Sequence, residues 1–354
     1  MDSTTLIDPA LDGAHGSPDW PPSLQEIPPE ASLLDRLEAF EDVAESEVGD
    51  TTLVRARHLE RESGLRQLFL KFEGSNPSGT QKDRIAFAQA EDALRRGFEA
   101  VTVATCGNYG VATAMACRMA GLGCEVFIPA RYATRRVEEM IQQGARIHRV
   151  EADYEGSVEA SRDYAAEREI YDANAGGDNT TLQLKAYGQI AYEIYDELRD
   201  APAVVAVSVS NGTTLAGIHK GFVSLYRRGK TSRIPKMVAG SSFRKNPIVE
   251  AWRRGLETCE DLNPQDIRET ETNEPLVNWH SIDGDHALWA VRETGGWAAH
   301  ASDRTMKSLA RTLLDRESLG ALPAATAGLH ALLQRQATEA LPGDRYVAVL
   351  TGKK

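Results

Sequence analysis

Beyond residue 85 the chain alternates between two hydrophobic periods, one of two residues and one near 3.6, in a succession of short segments. Short apolar runs predict strands: VTVAT at 101–105, CEVFIP at 124–129, ARIHRV at 145–150 and a segment at 170–173. Between them, apolar residues three and four apart predict helices over 108–120, 135–143 and 155–168. Strand, helix and strand joined by short connections indicate a parallel α/β sheet, because each crossover needs about a helix of chain to return in the same direction.

The alternation resumes after a long helix predicted over 184–198. AVVAVSVS at 203–210 is apolar enough for a strand buried on both faces. Further strands are predicted at 236–239, 297–300 and 346–350, with helices over 283–292, 303–316 and 324–336. A short helix begins with LLDRLEAF after Ser32, whereas residues 1–30, rich in Pro, Asp, Ser and Gly, show little periodicity and read as an irregular arm. The predicted fold class is α/β with two unequal domains, each an open twisted sheet flanked by helices. The small domain covers 85–180; the large one combines 31–84 with 181–354.

A chain of 354 residues has room for two such cores. With 52 acidic against 40 basic residues, a net charge of -12 disfavours a nucleic-acid partner. There is no run of eighteen apolar residues and no secretory pattern at the start, which predicts a soluble, cytoplasmic protein without a membrane partner. The four cysteines, at 106, 117, 124 and 259, lack the paired spacings of a zinc site, so reduced thiols and no metal are expected.

Four stretches carry candidate chemistry. EGSNPSGT, a turn of small residues, delivers Lys82 to the start of a helix, where the helix dipole favours the neutral amine that an imine-forming lysine needs. In ATCGNYG, a strand ends in a glycine turn that opens a helix of small residues; its N–H groups and Thr105, Cys106, Gly107, Asn108 and Tyr109 would surround a substrate carboxylate. VSNGTT repeats that layout, with Ser210, Asn211, Gly212, Thr213 and Thr214 as donors for a dianionic phosphate. The chain ends YVAVLTGKK, where Thr351 offers a neutral hydroxyl after a buried strand. Each stretch also has a structural reading without a ligand, and a lone lysine at a helix start is most often solvated. The phosphate turn lacks the lysine of a nucleotide P-loop, and no Gly-x-Gly-x-x-Gly follows a predicted strand, which disfavours nucleoside triphosphates and dinucleotides.

In their order, these stretches resemble the tryptophan-synthase-β-like enzymes of fold type II, which use pyridoxal 5'-phosphate, and among them most of all threonine synthase and its relatives. The resemblance covers about residues 50–354. It implies a cofactor held in the cleft between the two domains, with Lys82 as its covalent anchor and the proton-moving base. It further implies Asn108 at the cofactor's ring oxygen, Ser210 to Thr214 at its phosphate and Thr351 at its ring nitrogen. Thr105, Cys106, Gly107 and Tyr109 would meet a small amino-acid substrate, and a replacement would bring a second, nucleophilic substrate. Lys71, Arg135 and Arg136 are candidate contacts for an anionic side group, or solvated charges. A homodimer is implied by the resemblance alone.

The implied activity is elimination and replacement at the β or γ carbon. Lys82-Asp83-Arg84 resembles the synthase branches more than the serine and threonine dehydratases. Cysteine or cysteate synthesis, deamination of serine or threonine, and a non-catalytic binding protein of the same fold are the alternatives. The sequence departs from the family at Gln81, at Cys106 and Tyr109, and in a phosphate turn short of glycines. NTTLQLKAYGQ also lacks the arginine that threonine synthases place before the corresponding helix, which argues for a substrate other than homoserine phosphate.

Overall fold

The computed structural model describes residues 30–105, 107–131 and 135–354. Most of the expected arm and Cys106 lie outside them. Along the chain run α1 (Leu33–Glu47), β1 (Thr52–Arg55), α2 (Arg57–Ser63), β2 (Leu68–Phe72), α3 (Lys82–Arg95), β3 (Ala100–Ala104) and α4 (Asn108–Met119). Then come β4 (Gly123–Pro129), α5 (Arg135–Gln142), β5 (Arg146–Val150), α6 (Tyr154–Arg168), β6 (Tyr171–Asp172), α7 (Thr180–Leu198) and β7 (Val204–Ser208). The rest comprises α8 (Thr213–Arg227), β8 (Lys236–Ser242), α9 (Pro247–Arg254), α10 (Gly284–Glu293), β9 (Trp297–Ala301), α11 (Asp303–Glu317), α12 (Ala327–Thr338) and β10 (Tyr346–Leu350).

The described residues divide into two compact units, one of 30–48 and 82–182 and the other of 49–81 and 183–354. Each is a sheet flanked by helices, which is the expected α/β class. The boundaries differ from the sequence reading, which assigns 31–84 to the large domain. The reason lies in α1. Its Phe40 is buried and stacks on Phe87 of α3 with ring centroids 5.5 Å apart. Its buried Arg36 donates to the carbonyls of Ala120 (3.3 Å) and Gly121 (2.9 Å), just past α4. Burying one such phenylalanine contributes about 2 kcal/mol, enough to bind a marginal helix to its neighbour.

In the smaller unit the strand order is β5-β4-β3-β6, every pair parallel. The two-residue period sorts β3 between faces. Val101 and Val103 join the core formed with Phe87, Leu94, Met115 and Met140, while Thr102 and Ala104 face α6, where the Thr102 hydroxyl lies 2.9 Å from that of Ser161.

The larger unit has the order β1-β2-β10-β7-β8-β9, parallel except for β1 against β2. Its central strands β7 and β10 are buried at every position, as their unbroken apolar runs require. α12 lies unusually close to the sheet. A side chain on Gly328 would come within 2.6 Å of the Val207 backbone, so only glycine permits this approach. Sequence reasoning missed β1, α2, β2 and α9, all short elements. Among the described residues no helix is long and apolar enough to cross a membrane.

Candidate functional site

The turn that leads to Lys82 belongs to the larger unit and is fixed from inside. Asn76, 1% exposed, donates to the carbonyl and to Oε2 of fully buried Glu73, both at 3.0 Å, and accepts the N–H of Gly49. Glu73 in turn accepts from the Thr51 hydroxyl at 2.7 Å. From the other side the C-terminal segment grips the turn: Lys353 donates its N–H to Gly79 at 2.9 Å, and Gln81 donates to the Thr351 carbonyl at 3.0 Å. Lys82 is the next residue and the first of α3. Neither Glu73 nor Asn76 was singled out from sequence, although Glu and Asn in a Gly, Pro and Ser turn are residues whose side chains can tie it internally.

Within the smaller unit, β3 ends at Ala104, whose N–H is taken by the Asn174 side chain at 2.8 Å. Buried Thr105 accepts the N–H of Gly107 on its hydroxyl at 3.4 Å. Gly107 is the N-cap of α4 and supplies no side-chain cap, so first-turn N–H groups face forward. Asn108 makes no side-chain hydrogen bond among the described residues. Tyr109 departs from its expected role. Its hydroxyl donates to the Ala173 carbonyl at 2.7 Å and accepts from the Gln89 side chain, and desolvation raises its pKa, so it keeps its proton. What it presents to Lys82 is its ring, with the centroid 5.6 Å from Nζ.

In the larger unit, the turn from β7 into α8 is held by a chain of amides. Asn246 Nδ2 donates to the Ser210 carbonyl (2.9 Å) and to Asn278 Oδ1 (3.1 Å); Asn278 Nδ2 donates to Asn211 Oδ1 (2.9 Å). The Ser281 hydroxyl adds a bond to the Ser210 carbonyl at 3.1 Å. The Thr213 hydroxyl donates to Oδ2 of Asp283 at 2.5 Å, which removes its proton from any ligand. Gly212, with φ of 92°, caps α8 without a side chain; a Cβ there would lie 2.8 Å from the Asp283 carbonyl. The hydroxyls of Ser210 and Thr214 make no hydrogen bond among the described residues. Of the five residues expected at a phosphate, Ser210 and Thr214 thus have hydroxyls to give, Asn211 is bound through Oδ1 alone and keeps its Nδ2 donor, and Thr213 is committed to the scaffold.

Asn246, Asn278, Ser281 and Asp283 escaped sequence reasoning. Asn246 carried a readable signal, since Asn before Pro247 is an N-cap with proline at N1, and it does accept the N–H groups of Ile248 and Val249. The others sit in NWHSID, which has no periodicity to announce a role.

Thr351 follows β10, and its hydroxyl has no hydrogen-bond partner among the described residues. Lys71 lies elsewhere than expected of a substrate contact: 1% exposed in β2, it pairs with Glu193 at 2.5 Å and donates to the Thr51 carbonyl at 2.5 Å. A buried ammonium with two oxygens already bound holds its own sheet edge to α7 rather than awaiting an anion. Arg136 pairs with Glu139 at 2.6 Å. The side chain of Arg135 is outside the described residues. Trp279 is partly exposed beside His280.

Comparison with known proteins gives the family of the chain. Residues 44–352 match the family model described as pyridoxal-phosphate dependent enzyme. The threonine synthase of Methanocaldococcus jannaschii is 29% identical over 309 residues, 86% of this chain and 74% of that protein. That of Bacillus sp. strain ULM1 is 27% identical over 325 residues, 91% of this chain and 87% of that one. Among solved structures, the processed form of threonine deaminase isoform 2 from Solanum lycopersicum superposes with a TM-score of 0.73 at 13% identity, covering 93% of this chain and 92% of its own. Maize serine racemase gives 0.72 at 16%, covering 91% and 94%. The likeness to both is one of fold. With the family model matched over most of its length, the chain belongs to the pyridoxal-phosphate-dependent enzymes.

Proposed function

We propose that this enzyme eliminates or replaces an activated β or γ substituent on a small amino acid, in the manner of a threonine synthase, with Lys82 as the cofactor's anchor and as the base. The carrying observation is the set of polar groups that the protein leaves uncommitted. The Asn108 amide, the Ser210 and Thr214 hydroxyls and the Thr351 hydroxyl have no hydrogen-bond partner among the described residues, while residues around them are bound repeatedly. Each of these groups suits a part of pyridoxal phosphate. The Ser210 and Thr214 hydroxyls, with the N–H groups of the first turn of α8, suit a phosphate dianion; Asn108 suits a ring oxygen; Thr351 suits a ring nitrogen that stays unprotonated.

When bound, the cofactor supplies a carbonyl carbon for an amine and a conjugated ring that spreads the negative charge left at Cα. The chain supplies the rest. Lys82 removes the Cα proton and, for a γ substituent, moves a Cβ proton as well. Thr105 and the uncapped first turn of α4 bind the substrate carboxylate. The relatives' names support a threonine-synthase-like reaction, whereas two observations argue against homoserine phosphate itself: no arginine precedes α7, and the ammonium of Lys71 is already bound to Glu193. Replacement is favoured over deamination by the Lys82-Asp83-Arg84 sequence.

Absorbance at about 400–430 nm in the purified protein, abolished by Lys82→Ala, is the expected signature of the anchor. Wild-type protein that stays colourless after reconstitution would overturn that role. A spectral and product screen with O-phosphoserine, O-acetylserine, serine, threonine and phosphohomoserine then reads the substrate. Turnover of phosphohomoserine alone, to threonine, would refute the narrower reading.

A further inference from the structure

Tyr109 stands next to Asn108 in the first turn of α4, and its ring faces the amine of Lys82 with the centroid 5.6 Å away. The ring is braced from behind. Its hydroxyl donates to Ala173, just past β6, at 2.7 Å, and accepts from Nε2 of Gln89, which also donates to the Ile85 carbonyl at 3.2 Å. Lys82, Ile85 and Gln89 stand at i, i+3 and i+7 on one face of α3, so the helix that carries the amine also carries the brace. The Tyr109 backbone is tied in turn, its carbonyl accepting from the Thr113 hydroxyl at 2.8 Å.

A phenol that has given its one proton to a carbonyl has none for a substrate carboxylate. The face of its ring is another matter. It attracts an ammonium through the ring quadrupole over about 6 Å, and more weakly than a carboxylate would at contact distance. A lysine that must bind a cofactor, release it and then move protons gains from such a neighbour, because it narrows the sweep of a four-carbon arm.

We propose that Tyr109 is a positioning residue whose braced ring confines the Lys82 amine at the start of α3, and that its hydroxyl does not bind the substrate. The inference rests on Lys82 being the reactive amine, but its first test needs no cofactor. In the apo-protein, reductive methylation with formaldehyde and cyanoborohydride, read by peptide mass spectrometry with the other lysines as internal references, reports how freely Lys82 reacts. Tyr109→Leu is expected to speed labelling of Lys82 by about threefold, the factor that an exposed cation–π contact is worth. Tyr109→Phe keeps the ring and restores the slow rate. Should Tyr109→Leu fail to fold, a ring-fluorinated phenylalanine at position 109 keeps the shape while weakening the ring face, and is expected to label faster than Tyr109→Phe. Equal labelling across these proteins would overturn the proposal.

In the holoenzyme, Tyr109→Leu is expected to lower kcat by about tenfold with a smaller rise in KM, a loss that Tyr109→Phe recovers. A tenfold rise in KM for Tyr109→Phe would show the hydroxyl bound to substrate and overturn the second half of the proposal. Failure of the cofactor reading would appear separately, as a colourless protein in which the labelling difference persists.

Discussion

The turn from β7 into α8 and the turn from β3 into α4 share an outline: a buried parallel strand, a short polar loop, and a helix whose N-cap is a glycine with no side chain to give. They differ in how they are held. Side chains of Asn246, Asn278, Ser281 and Asp283 converge on residues 210–213, whereas at 105–108 the described residues show backbone N–H bonds, from Thr105 to the Phe127 carbonyl at 3.1 Å and from Gly107 to the Thr105 hydroxyl at 3.4 Å. Ser32, Asp153, Asn246 and Ser302 cap other helices with their side chains, while α2, α10 and α12 also start without a side-chain cap. On the proposed function the two turns would divide the labour: a phosphate held through every turnover suits the cradle clamped by side chains, and a carboxylate that arrives and leaves suits the other turn.

The sharpest way to break this contrast is Gly212→Ala. The substitution forces a left-handed residue and sets a methyl 2.8 Å from both the Asp283 carbonyl and the Ala287 side chain. It is expected to destabilise the fold by roughly 3 kcal/mol and to weaken cofactor binding by more than about tenfold. Urea unfolding and an absorbance titration with pyridoxal phosphate measure the two, and a variant as stable as wild type would mean that the cradle is softer than its bonds imply.

Asn246→Ala tests the amide chain itself. It removes the cap of α9 and the bond to the Ser210 carbonyl together, with an expected loss of about 2 kcal/mol. Asn246→Asp keeps the cap but cannot donate to Ser210, so cofactor affinity should fall while the helix stays capped. If both variants bind the cofactor as wild type does, the chain of amides serves α9 and not the phosphate turn.

A smaller effect concerns pH. His219, on the helix that follows the clamped turn, is buried with no partner for Nε2, and burial pushes its pKa down to about 4. The unfolded chain, near 6.5, takes up the proton first, so acid favours unfolding. Stability is full above pH 6.5 and declines as pH falls towards 4, by up to about 3 kcal/mol in the limit and by about 1 kcal/mol at pH 5.5. His219→Phe, which keeps a ring against Trp289, should flatten the decline between pH 6.5 and 4. An unchanged slope in denaturation curves across that range would remove His219 as its source.

How far the sequence reveals all this follows from where the information lies. The strands and helices of the parallel sheets were legible because burial on one or both faces imposes a period, and the observed bounds of β10 coincide with the reading. β1 was not, since four residues at an edge, with exposed ends, bury too little to need a pattern. The same divide runs through the site. Lys82 and the glycine turns could be read locally, but the partners of Ser210 and Thr213 come from residues 36 to 71 positions away, and no local pattern encodes such a distance. Lys71 misled for the complementary reason: a lysine between apolar residues looks the same whether Glu193 awaits it or a ligand does.

The smallest expected effect on the fold is at the bare turn. Asn108 stands at the start of α4, partly exposed and without a side-chain hydrogen bond among the described residues, so truncating it removes no bond that the protein makes. Asn108→Ala should shift stability by less than about 0.5 kcal/mol, the range of surface positions without special contacts, and alanine favours the helix it joins. Its effect should appear in the bound cofactor instead, as a displaced absorbance maximum when the ring oxygen loses its donor. Placed beside Asn246→Ala, this pair decides what the contrast between the turns means. If Asn108→Ala unfolds the smaller unit while leaving the spectrum in place, the loop at 105–108 is as structural as its counterpart, and the division of labour fails. If it changes colour without changing stability, the polar groups that the fold does not use are the ones the chemistry does.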